Sequence, residues 1–304
     1  MTRRDARFPK NVAERTNAHR LRVTPGAMGS EMGRRSSRPF AAGVGRLAIS
    51  YLEHVPAHRG QARLIEALGR SLGPVPSKAA GGVELLVRLD SAMDRSYVVP
   101  GTLDHATLMS EVERLRAGDI AVDVGANAGL YSVLAARRVA PSGRVFAFEP
   151  SADEFARLAW ALRANAVDNV VASNIALGAR PGFVGFLPAP PRHTGLHRLR
   201  SDGDTSLHKV WAERGDVAVQ LAAQERVALM KIDVEGGELD VLRGFQALLE
   251  AGRIGRLVIE VSDAFLRRYG ASAAELYAYL AALGYVPERG PLGSPQYDEV
   301  FARR

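Results

Sequence analysis

Two glycines, an aspartate and an asparagine follow a short apolar run near the middle of the chain. The segment reads Asp123-Val124-Gly125-Ala126-Asn127-Ala128-Gly129. Glycines allow a tight turn and a close approach of a ligand to the backbone, and the N–H groups at the start of a following helix favour an anionic group. The spacing is G-x-x-x-G, so the dinucleotide fingerprint G-x-G-x-x-G is not met. By itself the segment indicates either a ligand-binding loop or an ordinary turn between a strand and a helix.

An acid follows the next apolar run. Glu149 comes directly after residues 144–148 and precedes Pro150. It lies about 20–25 residues beyond the glycine segment, where an acid of a nucleotide-binding fold accepts hydrogen bonds from ribose hydroxyls. Together the glycine segment and Glu149 predict a nucleoside cofactor with free ribose hydroxyls. They do not separate S-adenosylmethionine (SAM) from a nicotinamide dinucleotide.

A third polar segment, residues 230–238, combines a lysine, three acids and two glycines. Asp233 and Glu235 could orient or deprotonate a hydroxyl group. Lys231 is either a buried ion-pair partner of one of these acids or a solvent-facing strand residue. Glu238 suits the first turn of a helix, where the helix dipole favours an acid. Glu260, at the end of a later apolar run, is either a structural hydrogen-bond acceptor or part of a substrate wall.

Apolar runs and segments of helical period alternate around these polar residues. The predicted strands are residues 120–124, 144–149, 170–175, 227–233 and 257–261, and the predicted helices are residues 128–139, 153–164, 238–249 and 273–283. This alternation predicts an α/β fold with a mostly parallel sheet covered by helices on both faces. Ligands of such sheets bind beyond the carboxyl ends of the strands, which is where the three polar segments fall.

Taken in this order, the three segments resemble the FkbM family of SAM-dependent methyltransferases. The family pattern runs D-V-G-A-N-x-G, F-E-P and K-I-D-V-E-G-x-E with a trailing L-x-G, here at residues 123–129, 148–150, 231–238 and 242–244. The resemblance covers about residues 95–287. It implies a Rossmann-like class I methyltransferase fold with an N-terminal extension, and SAM as cofactor. It also implies O-methylation of a small or glycosylated metabolite, so the expected partner is a small-molecule acceptor with a hydroxyl group.

The resemblance implies site residues as well. Glu149 would bind the ribose, and the glycine loop would line the methionyl part. Asp123 would fix that loop or reach the methionyl amino group, although a purely structural acid is an equal alternative. The predicted cofactor-binding residues are Asp123, Gly125, Ala126, Asn127, Gly129, Glu149, Asn174, Ala176 and Asp233, and the predicted catalytic residues are Lys231, Asp233 and Glu235.

Composition limits the other classes of function. The net charge of +7 resides in residues 1–45, which hold ten Lys or Arg and three acids, so the rest of the chain is neutral. A neutral body argues against a nucleic-acid substrate. An RNA methyltransferase that uses the basic tail, and a non-catalytic SAM-binding partner protein, remain alternatives.

The chain has no cysteine and no H-E-x-x-H motif, so we predict no metal site. No apolar run predicts a membrane span, and we expect a cytoplasmic protein.

The pattern predicts three parts. Residues 1–44 would form a basic disordered leader, residues 45–117 a helical and extended segment that packs on the core, and residues 118–304 the SAM-binding domain. Within the second part we predict helices at 62–72 and 105–116 and an extended stretch at 97–100. The Pro- and His-containing residues 188–216 are predicted to cover the acceptor, with Trp211 as an apolar wall.

Overall fold

The computed structural model of the chain describes residues 20–22, 39–55, 58–99, 106–187, 198–200, 208–290 and 293–304. The described strands are β1 (Arg20–Arg22), β2 (Val75–Ala79), β3 (Val83–Val87), β4 (Ile120–Val124), β5 (Arg144–Phe148), β6 (Val170–Ser173), β7 (Ala176–Leu177), β8 (Gly182–Leu187), β9 (Arg198–Arg200), β10 (His208–Glu213), β11 (Val227–Ile232), β12 (Ile254–Val261), β13 (Tyr285–Pro287) and β14 (Tyr297–Arg303). The described α-helices are α1 (Pro39–His54), α2 (Gln61–Leu72), α3 (Ala92–Val98), α4 (Ala106–Arg114), α5 (Leu130–Val139), α6 (Ala152–Ala164), α7 (Gly215–Ala218), α8 (Glu238–Gly244), α9 (Gln246–Glu250), α10 (Asp263–Arg268) and α11 (Ala273–Ala282).

Eight strands form the central sheet, in the order β1-β6-β5-β4-β11-β12-β14-β13. The five strands from β6 to β12 in this order are parallel, whereas β14 runs antiparallel to β12 and β1 antiparallel to β6. The chain therefore reverses its strand order at the boundary between β4 and β11, and a crevice for a ligand is expected at their carboxyl ends. This topology confirms the predicted α/β fold with a mostly parallel sheet.

The apolar strands supply two cores, one on each face of the sheet. In β4, Ala121 packs into the core that includes α5 and α6, whereas Val122 and Val124 pack into the core that includes α8 and α11. This alternation follows from the two-residue period of a strand. Asp123 and Lys231 are register partners in β4 and β11, so they lie side by side on one face.

The N-terminal segment packs on the same face as Asp123. Ile49 of α1 and Ile65 of α2 belong to one core cluster with Leu158 of α6. The β2–β3 hairpin joins this cluster, and the guanidinium of Arg157 in α6 donates to the Leu86 carbonyl at 2.9 and 2.6 Å. The domain boundaries remain a prediction, but side chains of residues 45–117 complete this core.

Several predicted elements differ from those observed. The predicted extended stretch at 97–100 is wrong at Tyr97 and Val98, which end helix α3, whereas Val99 is extended and residue 100 lies outside the described ranges. The first turn of α3 is capped by the Ser91 hydroxyl, which accepts from the Asp94 N–H at 3.2 Å. The predicted strand 170–175 ends earlier, at Ser173 of β6, and the short strand β7 begins only at Ala176. The predicted helix 238–249 is divided at Phe245, which is fully buried. The sequence pattern also gave no sign of β13, β14 and a second sheet of order β7-β10-β8-β9.

Two described stretches fall within the predicted leader. Residues 20–22 pair with β6, and α1 begins at Pro39, so the predicted boundary at residue 44 lies inside a helix. The other leader residues lie outside the described ranges. No α-helix among the described residues is both long and apolar enough to cross a membrane.

Candidate active site

The glycine loop between β4 and α5 is held against two neighbouring strands. The N–H groups of Gly125 and Ala126 both donate to the Phe148 carbonyl at 3.0 Å. Gly125 has φ 81°, and a Cβ there would lie 1.9 Å from the carbonyl oxygen of Asp233. Glycine is therefore required here both by the backbone conformation and by the contact with the end of β11.

Glu149 is tied to the same loop. One carboxylate oxygen accepts from the Asn127 N–H at 2.8 Å and the other from the Ser151 N–H at 2.8 Å. The side chain is 4% exposed, and burial raises the pKa of Glu149 to about 8 despite these bonds. Each oxygen can accept a further hydrogen bond, so Glu149 can receive the two hydroxyls of a ribose.

An open cleft of about 590 Å³ lies above these residues, which we call the nucleoside cleft. Glu149 lines it together with the apolar side chains of Ile175, Leu177 and Phe186. A ribose acceptor beside apolar walls fits the adenosine part of SAM.

The structure brings only part of the predicted site to this cleft. The predicted residues that line it are Gly125, Asn127, Glu149, Ala176, Asp233 and Glu235. Asn174 instead donates to the carbonyls of Glu149 and Pro150 at 2.8 and 3.1 Å, so it holds the turn after β5. The lining does not include Asp123, Ala126, Gly129, Asn174 or Lys231.

Lys231 connects the glycine loop to β4 and β11, the two strands between which the strand order of the sheet reverses. Its Nζ donates to the Gly125 carbonyl at 2.7 Å and lies 3.5 Å from Asp123 Oδ1 and 3.4 Å from Asp233 Oδ2. Burial lowers the pKa of Lys231, but the carboxylates of Asp233 and Asp123 raise it by more, so the net pKa is above its ordinary value. Lys231 therefore stays protonated and cannot act as a base. Of the two predicted environments, the buried ion pair is the one observed.

Asp123 is fully buried between this lysine and α5. It accepts from the Ser132 hydroxyl at 2.5 Å. Burial raises its pKa, against the opposing effects of Lys231 and Ser132. This placement matches the structural alternative for Asp123, an acid that fixes the loop and the first strand.

The loop after β11 is shaped by Glu238. Its Oε1 accepts from the N–H groups of Val234 and Gly236 at 3.3 and 2.9 Å, and burial raises its pKa to about 7. Glu235 takes φ 60°, a conformation that costs energy in a residue with a side chain. The loop is thereby held in a bent form that turns Asp233 and Glu235 to the nucleoside cleft.

Three acids meet beside this loop. Asp233, Glu235 and Glu260 each present an oxygen, and these atoms lie within 4.8 Å of one another. Burial, then the charges of Asp233 and Glu235, raise the pKa of Glu260 well above its ordinary value. Such a trio has the oxygen ligands of a hard cation, but a proton on Glu260 relieves the same repulsion. The predicted absence of a metal site stays a prediction.

The predicted role of Trp211 as an apolar wall of the acceptor site stays a prediction. Trp211 lies in β10, packs edge-to-face on Phe183 at 5.2 Å between ring centroids, and is not part of the cleft lining. The second sheet instead brings Phe186 of β8 to the cleft, next to His208 in register. Sequence reasoning missed Met93, Leu177 and Phe186 because none belongs to a polar motif. Residues 188–197 and 201–207 of the expected lid lie outside the described ranges.

Comparisons with known proteins identify what the chain resembles. Residues 123–287, more than half of the chain, match the Methyltransferase FkbM domain. The chain is 28% identical over 150 residues to hexuronic acid methyltransferase AglP of Haloferax volcanii, covering 49% of this chain and 59% of that protein. It is 32% identical over 244 residues to 31-O-demethyl-FK506 methyltransferase FkbM of Streptomyces tacrolimicus, covering 66% and 86%. A crystal structure of methyltransferase FkbM from Methylobacillus flagellatus is similar with a TM-score of 0.45 and 16% identity, covering 62% of this chain and 44% of that one.

Proposed function

Because the chain belongs to the FkbM methyltransferase family, we propose that it transfers a methyl group from SAM to a hydroxyl of a small or glycosylated metabolite. Family membership confirms the resemblance, the enzyme class and SAM as cofactor. The hydroxyl acceptor is supported by the name of one relative, 31-O-demethyl-FK506 methyltransferase. The other relative is named for a hexuronic acid, which carries both carboxyl and hydroxyl groups. The observation that carries the proposal is the position of Asp233 at the end of β11, in the lining of the cleft.

Asp233 is the acid best placed to serve as the base. Glu149 and Glu238 accept hydrogen bonds from backbone N–H groups, and Asp123 is fully buried against Ser132. Asp233 is partly accessible, with 18% of its side chain exposed, and faces the ammonium of Lys231. A carboxylate that lines the cleft can accept a proton from an acceptor hydroxyl beside it. Glu235, in the same lining, is the next candidate.

The residues then take separate roles. Bound SAM supplies an electrophilic methyl group. Glu149 accepts hydrogen bonds from the ribose, and Lys231 holds the glycine loop and Asp233 in a fixed relation. Asp233 orients the acceptor hydroxyl and accepts its proton as the oxygen becomes methylated.

The test follows a labelled methyl group. The full chain is incubated with methyl-labelled SAM and fractionated metabolite extracts, and the labelled product identifies the acceptor. We expect Asp233→Asn to lower turnover about 10²–10⁴-fold, the usual contribution of a general base, with far less change in the affinity for S-adenosylhomocysteine (SAH). Asp153→Asn, at an exposed aspartate of α6, is the matched control.

Other outcomes would redirect the assignment. Wild-type turnover in Asp233→Asn would move the base to Glu235. SAH binding without label transfer to any fraction would favour the non-catalytic partner protein.

A further inference from the structure

We propose that a second cavity, between helices α3, α4 and α5 and next to Asp233, is the acceptor pocket. We propose that it takes a neutral, largely apolar alcohol and not an acidic sugar. This inference rests on the proposed function and specifies its acceptor. The cavity is open to solvent, encloses about 490 Å³ together with its mouth, and shares Met93, Asn127 and Asp233 with the nucleoside cleft. A molecule in it would therefore meet the cofactor at these three residues.

The walls of this pocket are apolar. Leu108 and Met109 of α4 form one side, and Leu130 and Leu134 of α5 form another. Tyr97 of α3 adds an aromatic side chain. Apolar walls with few polar groups select a ligand whose body is apolar and whose orientation is fixed by one or two polar atoms.

The charge of the pocket argues against an acidic ligand. Lys231 is the cation among the described lining residues, and its ammonium already faces the carboxylates of Asp123 and Asp233 at 3.5 and 3.4 Å. A carboxylate in the pocket would meet the negative charge of Asp233 without a cation of its own. A neutral hydroxyl can instead donate to Asp233 at no such cost.

Tyr131 provides a second polar contact. This tyrosine of α5 lines the pocket, is 5% exposed, and its hydroxyl has no hydrogen-bond partner among the described residues. A buried hydroxyl of this kind is stabilised by a polar atom of a ligand or by a water. An alcohol that donates to Asp233 could accept from Tyr131, which would fix its oxygen.

The pocket wall is held from behind by buried charges. The Arg157 guanidinium of α6 bonds the carboxylate of Asp94 in α3, and both side chains are almost fully buried. Arg157 also bonds Glu154 at 2.5 Å. Since Met93 precedes Asp94 in the chain, this ion pair fixes the place where α3 meets both cavities. The pocket is thus preformed.

The experiment uses the full chain saturated with SAH and two probes, cyclohexanol as a neutral apolar alcohol and glucuronic acid as a hexuronic acid. Ligand-observed saturation-transfer NMR reports probe binding, and calorimetry reports SAH affinity. We expect cyclohexanol to bind and glucuronic acid not to bind. Met109→Trp, which fills the pocket, should weaken cyclohexanol binding at least about tenfold, and Leu64→Trp, at an exposed leucine, should not.

A second variant tests the tyrosine without altering the pocket shape. Tyr131→Phe should weaken cyclohexanol binding by about 2–12-fold, the range for one neutral hydrogen bond. Tyr279→Phe removes a similarly buried hydroxyl on α11, outside the pocket lining, and should have no effect.

Three results would overturn the inference. These are binding of glucuronic acid in place of cyclohexanol, no binding of cyclohexanol to the wild type, and a large loss of SAH affinity in Met109→Trp. The last would show that the cavity holds the methionyl part of the cofactor. Failure of the wild type to bind SAH would instead refute the proposed function itself, so the two failures are distinguishable.

Discussion

The nucleoside cleft and the proposed acceptor pocket meet at Asp233 but are built in different ways. The cleft is assembled by backbone groups, since Gly125 and Ala126 donate to Phe148 and Glu149 accepts from Asn127. The pocket is assembled by side chains of helices α3, α4 and α5, and buried charges hold it in place. A backbone-built cleft suits a cofactor common to a family, whereas a side-chain-built pocket can change with the acceptor.

The largest expected effect lies behind the acceptor pocket. Arg157→Met removes the cation between Asp94 and Glu154 and leaves buried carboxylates uncompensated. We expect the free energy of unfolding to fall by about 3–5 kcal/mol, the usual cost of breaking a buried ion pair. Chemical denaturation measures it.

An exposed ion pair supplies the control for this variant. Arg267→Met breaks a pair with Asp263 whose side chains are 69% and 46% exposed, and it should cost at most about 1 kcal/mol. Equal losses in the two variants would mean that the N-terminal segment is only loosely attached to the core.

The next effect lies in the cleft. Gly125→Ala combines a left-handed φ of 81° with a Cβ 1.9 Å from the Asp233 carbonyl oxygen, so the loop or β11 must move. We expect a loss of about 2–4 kcal/mol in stability and a marked loss of SAH affinity. Thermal denaturation and calorimetry measure the two quantities.

A variant at Gly270 separates the energetic cost of backbone strain from the cost of a steric contact. It has φ 74°, and a Cβ added there would meet no atom within 4 Å, so Gly270→Ala should cost only the conformational part, about 1–2 kcal/mol. If Gly125→Ala costs no more than this, the contact with Asp233 does not constrain the loop.

The difference between the backbone-built cleft and the side-chain-built pocket also explains what could be predicted from the sequence. The parallel strands and the polar residues at their ends were predictable, because buried strands are apolar and the family motif is local in the chain. The position of Glu149 beside the glycine loop was predictable for that reason. Its role as a ribose ligand is still a proposal.

Residues brought together by distant packing were not predictable. Met93, Tyr97 and Tyr131 stand in no polar motif, and their meeting depends on how α3 and α4 pack over the sheet. The place of Phe186 was not predictable either, because only the pairing of β8 with β10 shows that it lies at the cleft. The extended stretch predicted after residue 96 was wrong for a local reason. The valines after Tyr97 favour a strand, but Ser91 caps a helix that continues to Val98.

A smaller effect, on SAH affinity, is expected when the carboxylate proposed to accept hydrogen bonds from the ribose is removed. Glu149→Ala should weaken SAH binding by about 1.5–3 kcal/mol, the range for hydrogen bonds to a charged group. Calorimetry on the folded variant measures it, with Glu250→Ala at an exposed glutamate as control. Unchanged affinity would show that the ribose lies elsewhere.

The pH dependence of the same residue gives the smallest effect and the sharpest test of the cleft. Burial raises the pKa of Glu149 from 4.5 to about 8, so the native state keeps a proton that the unfolded chain loses near pH 4.5. The stabilisation from this proton is complete below about pH 4.5 and is lost as the pH rises through about 8. The stability of the free protein should therefore fall across this window. Glu238, with a pKa of about 7, contributes in the same direction.

Ribose hydroxyls donate to a carboxylate, so binding favours the ionised form of Glu149 and should release its proton. SAH affinity should accordingly rise with pH up to about 8 and then level off, by at most about tenfold per pH unit because one proton is involved. Calorimetry in two buffers of different ionisation enthalpy counts the proton directly. Glu149→Ala should lose this proton release while Glu250→Ala keeps it. A wild type whose SAH affinity stays constant from about pH 6 to about pH 8 would show that the buried carboxyl does not receive the ribose, because the linked proton would then not be released.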